Sequence, residues 1–323
     1  MKTLKVNLKT LTPLWTGDAW GESNKIHPSS IMGSLRFWFE VYCRSCSIPV
    51  EKLNDKGVPA DNLDEYIKKY NSKESFESLL SKELMKDNVD YNTAISNVFE
   101  KINLPLISRI FGCTGWKSQI KIENISSDKF ELKKSRINFR YLYDKLEVRT
   151  TSSEFWANKL LFNDKDEIVL FNNLQISIKI NELFLSDFKK FLKFYEDKII
   201  LCGGKKSFGF GFCKIAFDVD VSDVSIPDER SKIFDSKEIQ LNDIPSEKII
   251  LGFNFKYYQR LSEEKQYRDK NFGRQSKASN FFFSTKLREN NSICIVGFNT
   301  YQNEEFRDLI NRYSNFKKNN NDS

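Results

Sequence analysis

Residues 203 to 211 read Gly-Gly-Lys-Lys-Ser-Phe-Gly-Phe-Gly, so four glycines, two lysines and two phenylalanines share nine positions. Glycine lets the backbone take positive φ and approach a ligand closely, lysine attracts phosphate, and an aromatic ring can stack on a base. That is the composition of a loop built to meet RNA. It lacks the G-x-x-x-x-G-K-[ST] order of a nucleotide-binding P-loop, because its lysines precede the second glycine pair, and it is not G-x-G-x-x-G either. A purely structural use also fits: a helix C-cap at Gly203 or Gly204 followed by a tight turn, with Phe208 and Phe210 packing inward. Both uses together put Lys205 and Lys206 on phosphate, let the glycines shape the turn, and place one phenylalanine in the core.

Groups suited to catalysis are few. Metal-free RNA cleavage needs a base for the 2′-hydroxyl and an acid for the leaving oxygen, roles a histidine pair serves best. The chain has one histidine, His27. A lysine and a tyrosine could substitute only with shifted pKa values, which a sequence does not display. Asp218 and Asp220 alternate with Phe217 and Val219, a strand pattern that turns both carboxylates to solvent rather than to a pair of metal ions. The cysteines, at 43, 46, 113, 202, 213 and 294, form no disulfide framework. Cys43 and Cys46 make a C-x-x-C, but zinc would need a second ligand pair. No cofactor is implied, and the inventory favours a binding protein over an enzyme.

The elements that must position these residues follow from periodicity. Leu4, Val6 and Leu8 alternate with Lys5, Asn7 and Lys9, which predicts a strand at the N-terminus and no signal peptide. Pro28-Ser29-Ser30 precedes Ile31, Leu35, Trp38, Phe39 and Tyr42 at helical spacing, which predicts a serine-capped helix ending near Arg44. From about 47 to 111 the chain is polar and mixed in charge, with short helices over Ser75 to Met85 and Thr93 to Ile102, and reads as an insertion. Strict alternation returns at Ile120 and Ile122, at Ile137 to Tyr143, and at Leu174 to Ile180. Ser186-Asp187 can cap a further helix with Phe188, Phe191, Leu192, Tyr195 and Ile199 on one face, and beyond the glycine loop Phe212 leads into the strand Ile215 to Val221. With the hairpin at 117 to 145 counted partly as elaboration, the order is β-α-β-β-α-β.

That order defines the expected fold class: α+β, a ferredoxin-like (RRM-like) domain with insertions, spanning 1 to 222. The polar stretch 223 to 246, with Pro227 and Pro245, reads as a linker. A second, reduced ferredoxin-like domain is expected over 247 to 318, from strands at Leu251 to Tyr257, Asn280 to Thr285 and Ser292 to Phe298 and a helix around Phe306 to Tyr313. Residues 319 to 323 should form a disordered tail.

The formal charge of +7 is moderate, but its distribution is uneven. Lys256 to Arg288 holds nine basic residues against three acids, and Lys117 to Arg149 nine against five, each interleaved with aromatic rings. Such segments suit single-stranded RNA or a duplex backbone, and equally the solvated faces of a phenylalanine-rich core. No stretch approaches the ~18 to 20 apolar residues of a membrane span, so the expectation is a cytoplasmic protein that avoids membranes.

Three segments carry a family resemblance. Thr12-Pro13-Leu14-Trp15-Thr16-Gly17 leaves the first strand, Ser29-Ser30-Ile31-Met32-Gly33-Ser34-Leu35-Arg36-Phe37-Trp38 forms the helix, and Gly204 to Gly211 is the loop. Together they resemble RAMP-superfamily subunits of type III-B CRISPR (Cmr) effector complexes, in particular the first-numbered subunit. The family commonly has a basic residue where this helix has Met32. Phe272 to Ser279 is similar to a less specific pattern in the family's second domain, and brings in Arg274 and Lys277. The resemblance implies a non-catalytic subunit that contacts the 3′ part of the guide RNA and helps capture target RNA for antiviral defence, with the other Cmr subunits as partners. A RAMP-type metal-independent endoribonuclease that processes guide RNA, and a protein scaffold with no RNA contact, are the alternatives.

On the predicted helix Ser29, Gly33, Arg36 and Glu40 share one stripe. Small residues at its start permit close approach, and free N–H groups there favour phosphate. Arg36 then either forks onto a phosphate or pairs with Glu40. Trp15 either stacks on a base or anchors the core. The candidate RNA-contacting set is therefore Trp15, Thr16, His27, Ser29, Ser30, Gly33, Arg36, Gly204, Lys205, Lys206, Ser207, Phe208, Arg274 and Lys277.

Overall fold

Strand β1 (Lys2–Thr10) buries Leu4, Val6 and Leu8 and exposes the lysines between them, the alternation a pleated strand requires. It is the middle of a five-stranded antiparallel sheet ordered β2-β3-β1-β5-β4, in which β2 is Ile120–Lys133, β3 Glu167–Ile180, β4 Ile199–Leu201 and β5 Phe212–Phe217. The computed structural model describes residues 1–17, 24–50, 62–71, 73–139, 155, 158–229, 233–241, 248–255, 280–286 and 291–298.

Helix α1 (Pro28–Ser45) crosses the sheet with Ile31, Leu35, Trp38, Phe39 and Tyr42 buried. Its cap is not a serine: His27 occupies the N-cap with extended backbone and makes no side-chain cap hydrogen bond, while Pro28 fills the first helical position and removes an N–H that would lack an intrahelical acceptor. Ser29 and Ser30 lie inside the first turn. The helix stops where Ser47 takes a left-handed φ of 56°. Alongside runs α6 (Leu185–Phe194), entered through a 3₁₀ turn at Glu182–Phe184. There too the expected cap is displaced. Asn181 accepts from the Leu183 N–H, and Ser186 and Asp187 lie in the helix's first turn.

The two helices meet through rings. Phe39 lies 5.3 Å from Phe191, Tyr42 5.3 Å from Phe194, and Trp38 5.5 Å from Tyr195. The edge-on pairs among these each add about 0.5–1.5 kcal/mol beyond their area burial. The Trp38 indole N–H donates to the Leu201 carbonyl and the Tyr195 hydroxyl donates to the Trp38 carbonyl, so both polar tips are satisfied inside the core. With edge strand β4 set aside, the order β1-α1-β2-β3-α6-β5 and the sheet β2-β3-β1-β5 accord with the ferredoxin-like reading.

The insertion between α1 and β2 is helical: α2 (Leu63–Tyr70), α3 (Phe76–Leu84), α4 (Tyr91–Lys101) and α5 (Leu106–Phe111). Asn62, Ser75 and Asp90 cap the first three by accepting backbone N–H bonds. The insertion shares the main core, with the Phe111 ring packed at a tilt 5.4 Å from Phe39.

A second antiparallel sheet is ordered β6-β8-β7, with β6 at Phe234–Gln240, β7 at Phe281–Phe283 and β8 at Ser292–Phe298. Strand β6 falls within the stretch read as a linker. Its Phe234, with Cys294 and Val296 of β8, belongs to the same core cluster as Leu4 and Trp38. Where a strand was expected from Leu251, residues 252–255 are helical. The strand expected over Ile137 to Tyr143 reduces, within the described residues, to a single bridge between Ile137 and Ile249. Residues 140–143, Tyr257, the helix around 306 to 313 and the tail from 319 lie outside the described residues. Among those described, no helix is long and apolar enough to cross a membrane.

Candidate nucleic-acid interface

The glycine loop is a hairpin turn. Helix α6 ends at Phe194 with Tyr195 at its C-cap, and β4 intervenes before Gly203, so the loop joins β4 to β5 and caps no helix. Gly203, Lys205, Gly209 and Gly211 all take positive φ, and Lys206–Phe208 makes one 3₁₀ turn between them. Gly209 shows why glycine is required there: φ is 97°, and a Cβ would sit 2.3 Å from the Thr285 nitrogen.

Two backbone clamps hold the loop. On one side Gly204 N–H donates to the Trp15 carbonyl at 2.8 Å and Gly211 N–H to the Pro13 carbonyl at 2.9 Å, which ties it to the segment leaving β1. On the other, Thr285 donates its N–H to the Gly209 carbonyl and its hydroxyl to the Phe208 carbonyl, both at 2.9 Å. Thr285 had no sequence signal, since it comes from just beyond β7 and meets the loop only through folding.

The lysines diverge from this turn. The Lys205 ammonium donates to the Leu160 carbonyl and lies 5.0 Å from the centre of the Trp15 ring. The Lys206 ammonium lies 5.8 Å from the centre of the Phe37 ring. Burial pulls both below the usual lysine pKa, against a small opposing effect of Cys202 on Lys206. A phosphate set against either amine would reverse that shift. Ser207 is exposed. Phe208 and Phe210 are both buried, where one core phenylalanine was expected, and Phe208 stacks 5.7 Å from Phe253 inside a smaller core with Leu132, Leu161 and Leu251. The Phe208 ring therefore has no free face for a base while it stays in place.

The loop reaches the middle of α1, where Lys206 lies over Phe37. Phe37 is 43% exposed and turns outward one helical turn beyond Gly33, so it adds an aromatic ring to the lysine side of the site. Its position i+4 from Gly33 was the available signal. Ser29 and Gly33 are exposed, Ser30 is half-buried, and a Cβ on Gly33 would meet nothing within 4 Å. Arg36 is half-buried and donates to the Gly112 carbonyl at 2.8 Å. Glu40 pairs with Arg44 at 2.6 Å, which replaces the expected Arg36–Glu40 pair. Thr16 is buried, and its hydroxyl donates to the Lys25 carbonyl at 2.7 Å, tying the β1 exit to the approach to α1. His27 serves α1 through its carbonyl, which accepts from Ser30 and Ile31. Arg274 and Lys277 lie outside the described residues.

Trp15 also borders a cleft of about 290 Å³ between the β1–α1 connection and the turn that enters β3. Elsewhere, Cys43 and Cys46 are buried and burial pushes both thiols up. Among the described residues no three His, Cys, Asp or Glu side chains cluster to hold a metal ion.

The chain belongs to the RAMP superfamily, whose family model matches residues 7–214. No curated protein matches it. Among solved structures it is similar to apo Cmr1 from Pyrococcus furiosus, at 13% identity and a TM-score of 0.44 over 92% of this chain and 88% of that one. It is also similar to a chain of a type III-B Cmr-beta complex bound to cognate target RNA and AMPPnP, at 11% identity and a TM-score of 0.40 over 97% and 98%. Oligomeric Cmr4 from Pyrococcus furiosus follows at 14% identity and a TM-score of 0.29, over 67% of this chain and 99% of that one.

Proposed function

We propose that this RAMP protein is a non-catalytic, RNA-binding subunit of a type III-B CRISPR effector complex. In that role it contacts the 3′ part of the guide RNA, helps capture target RNA in antiviral defence, and docks on other Cmr subunits. The reading rests on one observation: the three sequence words that carry the resemblance converge in space. The Trp15–Gly204 bridge joins the first word to the third, and Lys206 over Phe37 joins the third to the second. Two amines on a rigid turn, with the outward ring of Phe37 and the half-buried ring of Trp15 beside them, suit a phosphate strand with unpaired bases.

The endoribonuclease reading draws no comparable support. His27 stands at the start of α1, where its carbonyl accepts from Ser30 and Ile31; burial lowers the pKa of Lys205 and Lys206 on the loop, but residues 203–211 hold no histidine, tyrosine or carboxylate to act with them. The two readings part in one experiment. The full chain is incubated with labelled single-stranded RNA, with and without Mg²⁺, and retention and RNA length are both followed. Salt-sensitive retention of intact RNA is the expected result. RNA shortened by the wild type and left whole by His27→Ala would install the nuclease reading instead, and no retention at low salt would leave a scaffold without RNA contact.

A further inference from the structure

The cleft beside Trp15 is built unlike the phosphate-facing side of the loop. Its lining is mixed: Trp15, Leu161, Phe162, Ile168 and Val169 supply apolar surface, and Asn24 and Asn163 bring two amides. The indole is fixed before any ligand arrives. Gly17 and Gly204 press so close that a Cβ on either would fall 1.9 or 2.6 Å from a ring carbon. Lys205 lies over the ring, itself held by the Leu160 carbonyl. A rigid aromatic wall loses little entropy when it binds.

Phosphate is a poor occupant, because the two carboxylates of Asp166 and Glu167 outnumber the single ammonium, Lys165, that lines the cleft with them. The volume falls just below the roughly 300–1,000 Å³ of drug-sized sites, which suits one small ring system. A flat neutral heterocycle with donors and acceptors along its edge matches all of these features. An amide can donate and accept at once, so it can meet the edge of any base.

We propose that this cleft is a nucleobase pocket: one unpaired base of the strand lying along the glycine loop turns in, packs against Trp15, and meets the amides of Asn24 and Asn163 with its edge. The proposal rests on the RNA-binding reading above and adds to it a fixed point of register, since a strand with one base seated cannot slide.

The test uses the full chain and single-stranded RNAs carrying one abasic nucleotide, moved along the strand, with affinity read at fixed salt and across a salt series. In the wild type, one position should weaken binding roughly tenfold when its base is removed. Trp15→Ala should abolish that penalty. Asn163→Gly, at an exposed residue whose φ of 48° glycine accepts, should shrink the penalty while leaving the salt slope unchanged, and it keeps the test decisive if Trp15→Ala does not fold. Salt-sensitive binding with no sensitive position would overturn the pocket and leave RNA binding standing. An abasic penalty that persists undiminished in both variants places the base elsewhere and also overturns it. Absence of any binding would overturn both readings.

Discussion

Trp15 and Gly204 face each other across a single antiparallel bridge, and the glycine's lack of a side chain is what leaves room for the indole. The Gly204 N–H donates to the Trp15 carbonyl at 2.8 Å, and a Cβ at 204 would lie 2.6 Å from Cε3 and 2.7 Å from Cζ3 of the ring. Gly204→Ala must therefore push the ring aside, at the ~1–3 kcal/mol typical of overpacking. Gly33→Ala meets open space within a helix interior and should stabilise by about 0.5–1 kcal/mol through backbone entropy. Thermal melts of the two variants should move in opposite directions. If RNA affinity falls in Gly33→Ala while Tm rises, the outer face of α1 is in contact with the strand.

The paired lysines make a quantitative prediction about salt. Each phosphate contact on a single strand contributes about 0.7 to the slope of log K against log salt, so Lys205→Ala with Lys206→Ala should reduce the slope by about 1.4. The measurement is a salt titration of RNA affinity for wild type and double variant. An unchanged slope would show that Lys205 serves only to fix Trp15 and that Lys206 only covers Phe37.

Phe208 should behave as a core residue. It is 4% exposed and stacks on Phe253, so Phe208→Ala should cost about 3–5 kcal/mol. Phe208→Leu keeps much of the apolar volume, and should melt well above the alanine variant and bind RNA as the wild type does. Ser207→Ala, one residue away and exposed, should leave Tm unchanged. Loss of RNA binding by a well-folded Phe208→Leu protein would mean the ring leaves the core to meet a base.

The elements legible in the sequence are those whose buried face repeats without interruption. Leu174 to Ile180 alternates fully and lies within β3, and Ile31 to Tyr42 keeps helical spacing through α1. Strand β2 was legible only at Ile120 and Ile122, because from there to Leu132 no residue is fully buried and the strand rests on its ladder with β3. Strand β6 buries only Phe234 and Ile239, too few for a pattern, and its place is fixed by pairing with the almost wholly buried β8. Residues 251 to 255 read as a strand because Phe253 and Phe255 alternate, yet of their large apolar side chains Leu251 and Phe255 are buried, at a helical spacing of four, and Phe253 only half-buried. In the site, the loop lysines and Trp15 were visible as residue types. The clamp from Thr285 and the outward ring of Phe37 depended on contacts between distant segments.

Glu83 supplies a pH test of the helical insertion. Its carboxylate is 1% exposed and accepts from Lys101, Lys86 and Asn97. The hydrogen bonds from Lys101 and then Lys86 hold its pKa near about 2, below an ordinary value of 4.5. Because the folded-state pKa is the lower one, the ionised carboxylate contributes stability that is complete above the ordinary value and fades as pH falls from about 4.5 toward 2. Glu83→Gln removes the charge from both states, so its melting temperature should lie below that of the wild type at neutral pH, and the difference should narrow through that window. Melts between pH 2 and 7 on the two proteins decide it. A gap that stays constant down to pH 2 would show that the ammonium groups of Lys86 and Lys101 do not favour the ionised carboxylate in the folded chain.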